Sequence, residues 1–157
     1  MAEPRHLGTP NIGQMWEQAF PGVMEQAGQV RGALRSELRD CPVADETVLL
    51  LSELSANAIA HSASGNPGGE FTVRLQHFAG QYVGGEVEDE GSDWDGCLQD
   101  SARNASGLFL IVKLASAYGA NRRTNGHRVV WFRLDYTAGD GRGLVPPPPA
   151  RGPRCRR

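Results

Sequence analysis

At 157 residues and 16.9 kDa the chain suits one domain, or one domain with tails. Apolar residues make up 39% and charged residues 22%, which is enough for a core and argues against wholesale disorder, while a formal net charge of −2 gives no general grip on nucleic acid or an anionic membrane. No apolar run approaches a membrane span and the first residues lack a basic-then-apolar leader, so the cytoplasm is the expected location.

In chain order, residues 1–14 read as a loose arm and residues 15–136 as the domain. Val23, Ala27, Val30, Leu34 and Leu38 recur at spacings of three and four, which predicts an amphipathic helix between Pro21 and Arg39. Cys41-Pro42 breaks it. Asp45-Glu46 then place acids in the first turn of a second helix that runs to about Ser62, where a glycine-rich stretch begins. Phe71, Val73 and Leu75 alternate with Thr72, Arg74 and Gln76, the pattern of a strand with one buried face. Gly80-Gln81 turns the chain into a second strand, about Tyr82 to Glu88. An irregular stretch from Asp89 to Ser106 follows, and a loop of that length inside a domain is usually functional or mobile. Gly107 to Ala117 reads as a third helix. Two closing strands, near Ala120–Thr124 and Arg128–Tyr136, flank the hairpin signal Asn125-Gly126. Residues 137–157 hold Pro146 to Pro149, Pro153 and five arginines against Asp140, which reads as a disordered basic tail. The expected fold class is α+β: a two-layer α/β sandwich whose mixed sheet of about four strands is covered on one face by about three helices.

Several chemistries drop out. Cys41, Cys97 and Cys155 form no CxxC pair and no Cys-His cluster, so neither a disulfide framework nor a zinc site is supported. Lys113 is the only lysine and follows Val112, so a P-loop is excluded. The acids between Glu86 and Asp95 do not fit a calcium loop, because Ala102 falls where its glutamate should stand. Trp131 is expected in the core and Trp94 in a lid or partner contact.

Three local patterns remain. Glu53, Asn57 and His61 lie at i, i+4 and i+8 on the second helix, which is either a solvated stripe or a site facing a cleft. Asp89-Glu90-Gly91 closes a strand, either as a plain turn or as a carboxylate at a strand tip with a glycine that lets a flat ligand approach. Ala105-Ser106-Gly107-Leu108 leads a loop into a helix, whose free N–H groups suit an anion.

Taken together and in order, these segments resemble the GHKL ATPase superfamily, and more narrowly the stand-alone anti-sigma-factor serine kinases of the actinobacterial type. Glu53-Leu54-Ser55-Ala56-Asn57-Ala58-Ile59-Ala60-His61 is similar to the family's N-box, E-L-x-x-N-A-x-x-H. Asp89-Glu90-Gly91 is similar to the D-x-G of its G1 box, and Ser106-Gly107-Leu108-Phe109-Leu110-Ile111-Val112 to its G2 segment. The resemblance spans roughly residues 16–136, including Phe20-Pro21-Gly22 and Val129-Val130-Trp131.

The resemblance implies a Bergerat-type ATP-binding fold. Asn57 would hold Mg²⁺ against the phosphates, and Asp89 would accept the adenine amino group with Gly91 admitting the base. Ser106, Gly107 and Leu108 would cradle phosphate, and Glu53 would be the catalytic residue that orients or deprotonates the attacking hydroxyl. The implied activity is ATP- and Mg²⁺-dependent phosphorylation of a serine or threonine on a small antagonist protein, in an anti-sigma-factor switch, with a sigma factor as a further partner and a homodimer possible. Two positions depart from the pattern: Asp93 replaces the second glycine of D-x-G-x-G, and Ala105 the first glycine of the G2 box. Both favour the alternative, a non-catalytic module that sequesters a partner.

Overall fold

The computed structural model describes residues 13–92 and 106–136. The tail, most of the expected N-terminal arm, and Trp94, Asp93, Asp95, Cys97 and Ala105 lie outside them. The order is β1 (Gln14–Pro21), α1 (Gln26–Glu37), α2 (Ala44–His61), a 3-10 turn (Ala63–Gly65), β2 (Glu70–Phe78), β3 (Tyr82–Asp89), α3 (Ser106–Leu114), β4 (Ala117–Arg122) and β5 (Arg128–Asp135). The strands form one sheet in the order β1-β2-β3-β5-β4, and every neighbouring pair is antiparallel. The expected α+β sandwich is present, but the sheet is antiparallel rather than mixed and has five strands rather than four.

Strand parity explains the layering. Phe71, Val73 and Leu75 on β2, Val83 and Val87 on β3, and Val130, Phe132 and Leu134 on β5 are buried, because alternate residues of a strand share a face. That face receives α2 through Leu50, Leu51, Leu54 and Ala58, with Val30 and Leu34 of α1 and Ile111 of α3 completing the same core. The Phe20 and Phe71 rings stack across β1 and β2 with centroids 5.6 Å apart. The opposite face is polar. There Arg74 bonds Glu17, Glu86 and Glu88, while Arg123 and His127 also reach Glu88. Burial raises the Glu88 carboxyl pKa, but hydrogen bonds from Arg74 and His127 and the charges of Arg123 and Arg74 outweigh it and hold the group below its usual range.

Five readings need correction. Gln14–Pro21 forms an edge strand, ending at a proline that has no N–H to give a ladder. The first helix starts at Gln26 instead of Pro21, because Gly22 donates its N–H to the Gly69 carbonyl (2.9 Å) and the intervening residues turn. Trp131 lies on the outer face against Gly119, not in the core, since its parity is opposite to that of Val130 and Phe132. The last hairpin is real, but its loop has three residues. Thr124, Asn125 and Gly126 lie between the bonded Arg123 and His127, and of them only Gly126 has a positive φ, +87°. That is a type I turn with a left-handed glycine rather than a two-residue turn. The third helix also ends earlier, at Leu114, so that β4 can begin at Ala117.

Candidate functional site

Helix α2 is apolar on the side that meets the sheet, and its hydroxyls turn inward on their own helix. Ser52, Ser55 and Ser62 donate to the carbonyls of Val48, Leu51 and Ala58 at 2.6–2.7 Å. Glu53 and Asn57 are half-buried, whereas His61 in the last turn is exposed. Two of the three stripe residues are therefore partly withdrawn from solvent, and the third is not. The Asn57 Nδ2 is buried and has no hydrogen-bond partner among the described residues. Leaving such a donor unpaired costs about 1–3 kcal/mol.

The start of α3 closes on Glu53. A Cβ at Gly107 would stand 2.6 Å from the Glu53 Oε2 and 2.9 Å from its Cβ. Only glycine lets the two helices approach this closely, so the N-terminal turn of α3 lies on the Glu53 carboxylate. Leu108 points into the core. Ser106 opens the helix, where backbone N–H groups lack partners within the helix. Among the described residues, no group of three or more His, Cys, Asp or Glu side chains is arranged to hold a metal.

The other part of the site is the end of β3. Asp89 shares its face with Val83 and Val87 and is only 3% exposed. Its Oδ1 accepts the N–H of Gly91 at 2.9 Å. Its Oδ2 accepts two bonds from Arg128, from Nε at 3.0 Å and from Nη2 at 2.5 Å. Arg128 stands directly opposite Asp89 in the β3–β5 register and is 8% exposed. It also donates through Nη1 to the Ser92 Oγ at 3.2 Å. Sequence reasoning passed over Arg128. The available signal was its parity: it alternates with Val130, Phe132 and Leu134, so a charge at that position faces the core layer.

Gly91 joins the two parts. Its carbonyl accepts the N–H of Ala63, and the buried Ser64 Oγ accepts the N–H of Glu90, so the Asp89–Gly91 turn is fastened to the end of α2. Its φ is +92°, and a Cβ there would meet the Gly126 carbonyl at 2.3 Å. Gly91→Ala should therefore lose at least about 1–3 kcal/mol of stability, read from the midpoint of a urea melt. An unchanged midpoint would mean that the turn relaxes freely.

A model of the histidine kinase-like ATPase domain matches residues 20–134, from the end of β1 to the end of β5. No curated protein matches the chain at a significant level.

Proposed function

The chain belongs to the histidine kinase-like ATPase domain family, and on that premise we propose that it is an ATP- and Mg²⁺-dependent protein serine/threonine kinase. It would phosphorylate a serine or threonine of a small antagonist protein, as an anti-sigma-factor switch that engages a sigma factor, that antagonist or both. Family membership supports ATP binding. The observation that carries the finer reading is the contact of the glycine start of α3 with Glu53, one helical turn before the orphaned amide nitrogen of Asn57.

The residues present suit the ligand. Mg²⁺ keeps several waters and relies on phosphate oxygens and one or two protein ligands. The Asn57 side-chain oxygen would serve as one such ligand, and its unpartnered Nδ2 would suit a phosphate oxygen. Bound ATP supplies the transferable phosphoryl group, with Mg²⁺ offsetting its charge. Asn57 holds the metal end of the ligand, and the N–H groups of Ser106, Gly107 and Leu108 receive phosphate oxygens without bringing a competing charge. Glu53 orients the acceptor hydroxyl and takes its proton, a role open to a carboxylate within reach of the phosphate cradle. Asp89 and Gly91 receive the base.

Calorimetric titration with ADP and a non-hydrolysable ATP analogue tests this. Binding should be micromolar and Mg²⁺-dependent, and Asn57→Ala should weaken it at least about tenfold and remove the dependence on Mg²⁺. No heat at millimolar nucleotide would sink the proposal. It would leave the second reading, a partner-sequestering module, which is favoured by the occupation of the Asp89 Oδ2 by Arg128. Among the described residues no helix is long and apolar enough to cross a membrane.

A further inference from the structure

We propose that Arg128 is the specificity-determining residue of this site, because it holds the acceptor edge of Asp89 and so removes most of the selectivity for adenine. The inference rests on the reading of the site as a nucleotide site.

An ionised carboxylate offers about four acceptor directions. At Asp89 three are taken: the Gly91 N–H on Oδ1, and the Nε and Nη2 of Arg128 on Oδ2. The contact joins two charges that are 3% and 8% exposed on adjacent strands, so it is a buried ion pair and not a surface one. An incoming amino group has two routes to the carboxylate. It can displace Arg128 from Oδ2, or it can crowd onto Oδ1 beside the bond that sets the Gly91 turn.

The first route exchanges a charge-assisted pair for a bond from a neutral donor and separates two buried charges that face each other across β3 and β5. The second adds a donor to an oxygen already committed to a left-handed glycine. Both routes cost more than a bare carboxylate would, so the amino group contributes little to binding. Affinity then falls to the phosphate end, at Asn57 and the start of α3. A base with a carbonyl where adenine carries its amino group meets a site whose carboxylate is already neutralised, and it is not strongly rejected. A site built around an open acceptor would reject it.

The experiment titrates ADP and IDP, with Mg²⁺, into the wild-type chain and into Arg128→Thr, with folding followed by circular dichroism. Threonine removes the cation and leaves the carboxylate open. Arg128→Gln keeps the bulk and a neutral donor in case the smaller residue does not fold. The wild type should bind the two nucleotides within about threefold of each other. The threonine variant should bind ADP about tenfold more tightly and prefer it to IDP by about tenfold or more, with glutamine changing both in the same direction by less.

A wild type that already prefers ADP tenfold would overturn the proposal and leave the nucleotide reading intact, and the wild-type titrations alone decide this. Variants that fold but lose ADP would show that Arg128 holds the base itself, which also overturns it. If no form binds either nucleotide, the reading of the site fails and this inference fails with it.

Discussion

Glu53→Ala is expected to lower phosphoryl transfer from ATP by about 10²–10⁴-fold, the usual contribution of a positioned acid–base group, while nucleotide affinity changes by about threefold or less. Glu53 contributes a carboxylate to the point where α3 begins, but it supplies none of the N–H groups expected to hold phosphate. Binding and transfer should therefore separate. Alanine also removes the packing of Glu53 on Gly107, where a Cβ would stand 2.9 Å from that of Glu53. Glu53→Gln is the necessary companion, because it keeps the shape and removes only the base. Both variants should fail alike in labelled-phosphate transfer to the acceptor and in single-turnover phosphate release. Transfer by the glutamine variant at the wild-type rate would remove Glu53 from its assigned role and leave it as packing for α3.

The parts of the site that were legible in the sequence are those where one element carries the pattern. On α2 the spacing of Leu50, Leu51, Leu54 and Ala58 fixes the buried side, and Glu53 and Asn57 follow from it. Thr72, Arg74 and Gln76 declare the open face of β2 in the same way. Elements at the margin of the sheet left no such trace. In β1 only Phe20 is buried, and Met15, Glu17, Gln18 and Ala19 are exposed, so no alternation appears. Arg128 was illegible for a different reason. Its partner lies 39 residues earlier, across a long connection and a helix, and only the β3–β5 register sets the two charges face to face. A local pattern can identify an inward charge, but it cannot name the charge that meets it. Trp131 shows the same limit: its residue type suggested core, and its parity placed it outside.

Truncating Phe132 should have the largest effect on stability. Its ring is 1% exposed and fills the space above Gly85, where a Cβ would stand 2.6 Å from the ring Cζ and 3.0 Å from the Leu51 Cδ2. One aromatic side chain thus packs β5 on β3 and helps seat the segment of α2 that carries Glu53, two residues after Leu51. Phe132→Ala should cost about 3–5 kcal/mol, a large part of the roughly 5–15 kcal/mol that holds a domain of this size together. Gly85→Ala alone should cost about 1–3 kcal/mol by overpacking against the same ring. In the Phe132→Ala background the added methyl enters the vacated space, so its cost should vanish or reverse. Urea melts of the four proteins measure the coupling. Costs that add to within about 0.5 kcal/mol would show that the two residues do not compete for one space, and the seating of α2 on β3 would then have to rest on Leu50, Leu54 and Ala58 instead.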